Sequence, residues 1–413
     1  MTTTTNNEHK KLNVPNLRFK EFQGEWEKNK LCDVSTIVGR IGFRGYTTQD
    51  IVDEGKGAIA LSPTNIVNNK LTYEKDNTYI SFHKFEESPE IMINQGDVIF
   101  VKTGSTVGKV AYVGELICKT TLNPQVVVLK NILCDNYLLS VIMSTQKFQN
   151  KIRKITVGGA VPTLSQVAMG KIFISLPKVE EQAKLSKFIA LFDERIATQN
   201  KIIEDLKKLK CAIIEQLLNC RESKKVCLGD IGSFVRGLTY SINDVVEENG
   251  TLVMRSNNIV NGSPLDYKKN VVYVNKQISS EQLLQSGDVV ICMANGSSSL
   301  VGKSSYYDGG CLLPITVGAF CGIYRSNEPL VKWLFQTSVY RRYIWKSLQG
   351  GNGAIANLNS EDILRMSFNI PEASTKKRFV KLLTSTDSTI KNNTRLYDLY
   401  ILQKQYLLRQ MFI

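Results

Sequence analysis

The chain has 413 residues, of which 43% are hydrophobic, and this is enough for two or three domains with separate cores. Its formal charge of +14 favours a polyanionic partner, although a basic protein without such a partner is the plainer interpretation. The only histidines are His9 and His83, and none of the nine cysteines forms a C-x-x-C pair. This composition excludes a histidine-rich metal site and two Ser-His catalytic centres.

Residues 1–14 are predicted to be a polar N-terminal tail. The segment is rich in Thr and Asn and has no apolar stretch, which argues against a signal peptide or a membrane anchor. Apolar runs elsewhere are short and interrupted by polar residues, so no membrane span is predicted. The scattered cysteines are typical of reduced thiols. We therefore expect a cytoplasmic protein.

The sequence beyond the tail contains an internal repeat with an offset near 194 residues. Gly159–Ser165 returns as Gly353–Asn359, and Gly96–Ile99 returns as Gly287–Val290. Solenoid repeats have periods of roughly 20–50 residues, so this longer repeat indicates a duplicated domain. Two similar modules in one chain suit a task performed at two places on one extended partner.

Each repeat is predicted to be a β-rich domain followed by a long helix. The domains are residues 15–177 and 223–371, and the helices are residues 178–222 and 372–413. Short runs rich in Val and Ile, separated by Gly, Asn and Pro, predict the strands. These are Ile91–Lys102, Val110–Gly114 and Gln125–Lys130, then Asp288–Met293, Lys303–Tyr307 and Phe320–Arg325, with further helices at Asp135–Lys154 and Leu330–Leu348. The fold class is α+β, with two similar mixed α/β domains.

The two long helices carry apolar residues at alternating spacings of four and three, which is the pattern of a coiled-coil seam. Polar residues interrupt the seam at equivalent places: Gln199 corresponds to Asn393, and Lys210 to Lys404. Such residues cost stability but fix register, so we expect the helices to pack on each other as a strut of roughly 60 Å. The apolar seam positions of the first helix are Leu185, Ile189, Phe192, Ile196, Ile203, Leu206, Ile213, Leu217 and Cys220.

No catalytic motif is complete. The loop Gly104–Lys109 has three residues between its glycines where a nucleotide-binding loop has four, and its copy, Gly296–Lys303, has five. Gly351–Ala356 resembles a dinucleotide-binding fingerprint, but such a fingerprint follows a strand, and no clear strand precedes this segment. Asn123–Val126 lacks the second proline and the aromatic residue of the Asn-Pro-Pro-aromatic motif of amino-methyltransferases. The sequence therefore predicts a non-catalytic binding protein without a cofactor or metal of its own.

Polar and basic loop residues at matching places in the two domains are the candidate nucleic-acid contacts. Arg and Asn can pair bidentately with guanine and adenine, while Ser, Thr and Lys contact phosphates. Any one of them alone could be a solvated loop residue, but recurrence in both repeats favours contact. The first set is Arg40, Arg44, Tyr46, Lys102, Thr103, Ser105, Thr106 and Lys109, and the second is Arg236, Tyr240, Arg255, Asn257, Asn258, Asn295, Ser297, Ser298 and Lys303.

Several motifs together resemble the DNA-specificity subunit of type I restriction-modification systems. The resemblance covers nearly the whole chain, including its two-fold order. In the second repeat Ser374–Lys376 replaces the Glu-Gln pair and Ala356 replaces Pro162, so implied partner contacts are not carried over to the second helix. The motifs are Leu17–Phe19 with Gly24–Trp26, Gly96–Ile99 with Gly104–Lys109, Gly159–Ser165, and Leu176–Gln182.

The resemblance implies that each domain is a target recognition domain reading one half of a bipartite double-stranded DNA site. The long helices would form an antiparallel coiled coil that sets the spacer and docks two modification (methyltransferase) subunits, which bind S-adenosylmethionine. Two restriction (translocase and nuclease) subunits would bring ATP and magnesium. The chain alone would perform no chemistry, whereas the assembled complex would be a DNA adenine methyltransferase and a type I site-specific endonuclease.

The two domains are expected to read different half-sites, which makes the target asymmetric. Arg255–Asn258 has no clear counterpart near Ala58–Leu61, and the segment from Val290 to Gly302 is three residues longer than that from Ile99 to Gly108. A competing hypothesis is a non-catalytic scaffold whose duplicated basic domains bind RNA or acidic proteins. Readers of single-stranded RNA usually expose aromatic residues on strands, however, and aromatic residues are sparse in these loops.

Overall fold

The computed structural model describes residues 12–42, 45–74, 77–348 and 356–413. The chain divides into two compact units: the first runs up to Thr198 and includes Tyr397–Ile413, and the second is Gln199–Leu396. Each unit thus contains one β-rich domain and parts of both long helices. Within the described ranges, no helix combines the length and the apolar character needed to cross a membrane.

The first unit contains a six-stranded sheet of order β2-β11-β8-β9-β6-β5, a four-stranded sheet of order β10-β4-β7-β3, and a ribbon of β1 and β12. Its strands are β1 (Glu27–Lys30), β2 (Thr36–Gly39), β3 (Ile51–Val52), β4 (Ala58–Leu61), β5 (Ile66–Val67), β6 (Lys70–Leu71), β7 (Tyr79–Ile80), β8 (Val98–Val101), β9 (Val110–Tyr112), β10 (Thr120–Leu122), β11 (Val126–Lys130) and β12 (Phe173–Leu176). Its helices are α1 (Leu31–Val34), α2 (Phe82–Glu86), α3 (Asn136–Ser144), α4 (Gln146–Ile155), α5 (Gln166–Gly170) and the start of α6 (Val179–Leu218).

The second unit repeats this plan with sheets of order β14-β22-β18-β20 and β15-β17-β16-β21, and with the ribbons β13-β24 and β19-β23. Its strands are β13 (Ser223–Cys227), β14 (Gly232–Arg236), β15 (Val245–Val246), β16 (Thr251–Met254), β17 (Val272–Val274), β18 (Val289–Cys292), β19 (Ala294–Asn295), β20 (Ser304–Tyr306), β21 (Ile315–Val317), β22 (Cys321–Ser326), β23 (Ala356–Asn357) and β24 (Ser367–Pro371). Its helices are α7 (Leu228–Ile231), α8 (Val331–Leu334), α9 (Ser338–Leu348), α10 (Ser360–Leu364) and most of α11 (Ala373–Met411).

The central strands are buried on both faces, which is why their sequences are continuously apolar. In β8, Val98 and Phe100 belong to the core shared with the helices, while Ile99 and Val101 belong to the core shared with β4 and β10. Strand β18 is likewise buried at all four positions. Successive side chains of a strand point to opposite faces, so one strand closes two cores.

Three sequence predictions need correction. Of the predicted strand Ile91–Lys102, only β8 is extended, because a 3₁₀ turn occupies Pro89–Ile91 and Gly96 has φ +93°. The predicted helix Asp135–Lys154 is two helices, since Thr145 takes extended dihedral angles and caps α4 by accepting from the Phe148 amide. The predicted helix Leu330–Leu348 is likewise interrupted between α8 and α9.

The long helices run antiparallel and confirm the coiled-coil prediction. In the second unit the Gln199 carboxamide donates to Asn393 Oδ1 at 2.7 Å, and Lys210 Nζ pairs with Asp387 at 2.7 Å. In the first unit Lys404 pairs with Asp193. Residue numbers therefore rise along one helix as they fall along the other, and both polar interruptions of the seam are satisfied by side chains of the partner helix.

Candidate nucleic-acid interface

The candidate interface forms at the edge where two parallel strands end. In the first unit β4 pairs parallel to β10, with Leu61 opposite Leu122. In the second unit β16 pairs parallel to β21, with Met254 opposite Val317. Because carboxyl ends of parallel strands meet at one edge of a sheet, the segments that follow them lie side by side. The candidates Arg255, Asn257 and Asn258 directly follow β16 at this edge.

A turn held by a buried asparagine follows the first of these strands in each unit. The turns are Ser62–Asn65 and Arg255–Asn258, and we call them the asparagine-held turns. The amide of the first residue donates to the Oδ1 of the asparagine at 2.9 Å in both. The expectation that Arg255–Asn258 has no counterpart near Ala58–Leu61 is therefore wrong, because the counterpart begins at the next residue, Ser62.

The glycine loops lie against this edge. In the first unit the amide of Lys102 donates to the carbonyl of Gln125 at 2.9 Å, and in the second unit the amide of Met293 donates to the carbonyl of Phe320 at 2.8 Å. Gln125 and Phe320 are exposed and follow the parallel strands β10 and β21. Neither residue was among the sequence candidates, because Gln and Phe at this position share no chemistry that a repeat would reveal.

The segment that leads into the glycine loop contacts the repeated turn in each unit. This turn is Gly159–Ser165 in the first unit and Gly353–Asn359 in the second. The amide of Leu164 donates to the carbonyl of Lys102 at 2.8 Å, and the amide of Leu358 donates to the carbonyl of Met293 at 2.8 Å. The same backbone hydrogen bond thus joins these two segments in both units. Of the second turn, residues 353–355 lie outside the described residues.

The glycine loop also contacts the asparagine-held turn. Lys109 Nζ donates to the carbonyl of Pro63 at 3.3 Å in the first unit. In the second unit Asn295 Nδ2 donates to Ser256 Oγ at 3.4 Å. Each unit therefore presents one surface made of the asparagine-held turn, the glycine loop and the end of a parallel strand.

The candidate residues differ in how much they expose to solvent. Arg40 and Asn258 are buried, and Arg44 lies outside the described residues. The exposed candidates are Ser105, Arg236, Arg255, Asn257, Ser297 and Ser298. The half-buried candidates are Tyr46, Lys102, Thr103, Thr106, Lys109, Tyr240, Asn295 and Lys303.

Arg40 is not the counterpart of Arg236. Gly39 pairs with Val127 as Arg236 pairs with Gly322 in the second unit, so the two arginines are one residue out of register. Arg40 donates to the Leu122 carbonyl at 2.8 Å and to Thr121 Oγ1, and burial lowers the pKa of its guanidinium. Its side chain therefore supports the edge from inside, whereas Arg236 is exposed.

Tyr46 and Tyr240 do occupy equivalent positions, each immediately before a short 3₁₀ turn. In these turns the amides of Thr47 and Ser241 donate to Asp50 and Asp244, respectively, both at 2.7 Å. Burial raises the pKa of Tyr46, whose ring stacks under the Arg40 guanidinium. A Ser or Thr followed three residues later by Asp, repeated at the domain offset, is the signal that would have revealed these turns.

The donor set of this edge consists of amides, hydroxyls and cationic groups. Across the described ranges no group of three His, Cys, Asp or Glu side chains could hold a metal ion. Cationic and amide side chains suit contacts with phosphates and base edges.

A family model for the type I restriction modification DNA specificity domain matches residues 23–208 and again residues 221–399. The chain belongs to this family: it is a specificity subunit of the type I restriction-modification class, with two DNA-recognition domains. The specificity-subunit family is non-catalytic.

Named relatives agree with this assignment. The chain is 24% identical over 406 residues to the type I restriction enzyme MjaVIII specificity subunit of Methanocaldococcus jannaschii, covering 90% of this chain and 89% of that protein. It is 30% identical over 173 residues to the EcoKI specificity subunit of Escherichia coli, covering 38% of this chain and 36% of that protein.

Solved structures share the fold. A crystal structure of a type I restriction-modification S subunit from M. genitalium superposes with a TM-score of 0.58 at 14% identity, over 97% of this chain and 99% of that one. A chain from a study of type I complex assembly and conformational transition gives a TM-score of 0.50 at 15% identity, covering 94% and 97% of the two chains. At these identities the likeness establishes the architecture alone.

Proposed function

We propose that each domain reads one half of an asymmetric, bipartite double-stranded DNA target through the surface at its parallel-strand edge. The observation that supports this most is that both units build the same edge from equivalent segments, yet carry different side chains on it. Ser62 and Thr64 of the first turn correspond to Arg255 and Asn257 of the second. Equal scaffolds with unequal side chains suit the reading of two different half-sites.

The charge of the edge supports duplex DNA as the ligand. Lys102, Lys109 and Lys303 are half-buried in or beside the glycine loops, while Arg236 and Arg255 are exposed. Phosphate contacts by such residues position a protein on DNA, and contacts with base edges then select the sequence.

The long helices would set the spacer between the half-sites and dock two methyltransferase subunits. In the first unit Leu399, Leu402 and Tyr406 of α11 are 51%, 58% and 56% exposed and follow each other at spacings of three and four. This places them on one helix face, away from the seam position Lys404. An apolar face of this kind suits a protein partner. S-adenosylmethionine, ATP and magnesium would then be bound by the methyltransferase and the two restriction subunits.

The proposal predicts tight, salt-dependent binding to duplex DNA. If about six phosphates are neutralised, the logarithm of the association constant should fall with the logarithm of salt concentration at a slope near −5. Fluorescence polarisation of the chain assembled with its methyltransferase subunits, on duplex DNA and on single-stranded RNA, measures both affinities. A slope near zero on duplex DNA would refute the electrostatic part. Preference for RNA would instead support the scaffold hypothesis.

A further inference from the structure

The asparagine-held turns share a frame but differ in the chemistry they expose. In the first unit the hydroxyls of Ser62 and Thr64 lie 2.7 Å apart and hydrogen-bond to each other. The Ser62 hydroxyl also donates to Asn65 Oδ1 at 3.2 Å. Both hydroxyl protons are thus used within the turn, which leaves only acceptor lone pairs for a ligand.

The second turn presents donors with capacity to spare. Arg255 and Asn257 are exposed, and among the described residues the guanidinium makes one long hydrogen bond, from Nη2 to the Asn270 carbonyl at 3.4 Å. Within the described part of the chain, the Asn257 carboxamide has no hydrogen-bond partner. A guanidinium and a carboxamide can each form two parallel hydrogen bonds with one base.

The frame beneath these two side chains fixes where they stand. Asn258 is 1% exposed, and its Nδ2 donates to the carbonyls of Asp266 at 3.0 Å and Lys269 at 2.7 Å. The backbone carbonyl of Asn258 accepts a hydrogen bond from the Asp266 backbone amide at 3.0 Å. A contact made from such an anchored turn loses less conformational entropy than one made from a mobile loop. Ser256, which lies between Arg255 and Asn257, also accepts a hydrogen bond from Asn295 beside the glycine loop.

We propose that the turn Arg255–Asn258 is the specificity-determining element of the second domain. Arg255 pairs with the O6 and N7 of a guanine, and Asn257 pairs with the N6 and N7 of an adenine. The first turn, Ser62–Asn65, makes no bidentate base contact, so the first half-site is read by other segments of its edge. This inference rests on the proposed function and assigns its base-reading residues.

The test replaces the exposed pair of the second turn by that of the first, as Arg255→Ser with Asn257→Thr. The full chain is assembled with its methyltransferase subunits, and the initial methylation rate is measured on duplexes with the wild-type target and with single base changes in each half. The double variant should lose about tenfold of its preference at one or two positions of the second half-site. The first half-site and the spacer should stay unchanged. The matched control is Arg365→Ser, which removes the exposed arginine that follows α10 and should leave every preference intact.

The following outcomes decide the inference. Unchanged preference at every position of the second half-site overturns it, and so does a change confined to the first half-site. If the double variant methylates no duplex, the variant Arg255→Lys is measured instead. Lysine keeps the positive charge but cannot form the two parallel hydrogen bonds of a guanidinium. Reduced preference at one position then supports the inference, and full preference overturns it. A wild-type complex that methylates no bipartite target would instead refute the proposed function itself.

Discussion

Asn65 and Asn258 are the residues on which the candidate edge depends in each unit. Both are almost fully buried, at 2% and 1% exposure. The Oδ1 of each accepts a backbone amide of its own turn, and the Nδ2 of each donates twice to the loop that follows. A buried carboxamide that is fully hydrogen-bonded holds the turn against the loop, and its loss leaves several polar groups unpaired.

Asn258→Ala should therefore lower the free energy of unfolding by about 2 kcal/mol, because the carbonyls of Asp266 and Lys269 lose their donor inside the protein. Urea denaturation of the purified chain measures this. The neighbouring exposed residue provides the control, since Asn257→Ala should change stability by less than about 0.5 kcal/mol. Equal effects of the two substitutions would show that Asn258 does not hold the turn.

At the scale of the helices, a half-buried carboxylate joins the long helices to the globular domain in each unit. In the second unit, Asp387 of α11 binds Lys210 of α6 at 2.7 Å, Lys332 of α8 at 3.5 Å and the Trp333 Nε1 at 3.0 Å. Burial lowers the pKa of Lys332, and the attraction of Asp387 opposes that shift. The carboxylate thus compensates the buried Lys210 and the half-buried Lys332 at once.

The first unit builds the equivalent junction with fewer charges. Asp193 of α6 pairs with Lys404 of α11 and accepts from the Tyr137 hydroxyl of α3 at 2.6 Å. Burial, followed by this hydrogen bond to a carboxylate, raises the pKa of Tyr137. The lysine–aspartate pair recurs in both units, while the contribution of the globular domain changes from a tyrosine to a tryptophan and a lysine.

Asp387→Ala should destabilise the second unit by about 2 kcal/mol, because the buried Lys210 and the half-buried Lys332 would lose their counter-charge. Lys210→Met should cost less, since Lys332 and Trp333 still satisfy the carboxylate. Asp205→Ala is the matched control on the same pair of helices, because its pair with Lys208 is exposed and contributes at most about 1 kcal/mol. Denaturant unfolding compares the three, and a loss for Asp387→Ala no larger than that for the control would contradict the junction.

The seam and the central strands were predictable from the sequence because each rests on a strong local pattern. The heptad spacing places Ile213 and Leu217 in the seam, and both are buried. Polar strands such as β1 and β13 carry no alternation of apolar residues, and they form only because β12 and β24 supply pairing partners. Two-residue strands depend in the same way on tertiary contacts that no local pattern encodes.

The candidate site was less predictable, since side-chain direction at a strand end depends on register. One residue separates the buried Arg40 from the position equivalent to the exposed Arg236. The asparagine-held turns were hidden for a related reason: their shared residue is the buried asparagine, and their exposed residues differ. The equivalence of Asn65 and Asn258 follows from the structure, in which the side chain of each binds the loop that follows it.

At the scale of the whole molecule, each unit includes the C-terminal end of one long helix. The end of α6 contributes to the core of the second unit, and the end of α11 contributes to the core of the first. The residues involved are Ile213, Ile214, Leu217 and Leu218 in α6, and Leu407, Leu408, Met411 and Phe412 at the end of α11. The Phe412 ring meets the buried Trp26 edge-on, beside the start of β1. The core of each β-rich domain is therefore completed by the C-terminal end of a long helix. For the second domain this is α6, which directly precedes it in the sequence, and for the first domain it is α11, at the other end of the chain.

The measurement that tests the central claim most directly is an exchange of recognition domains. Residues 31–177 are replaced by the equivalent segment of another specificity subunit with a known target, and methylated adenines are mapped in cells carrying the complete system. If each domain reads one half-site, the methylated motif should change in one half only, with the other half and the spacer retained. A motif altered in both halves, in an active chimera, would show that the two domains do not read DNA independently.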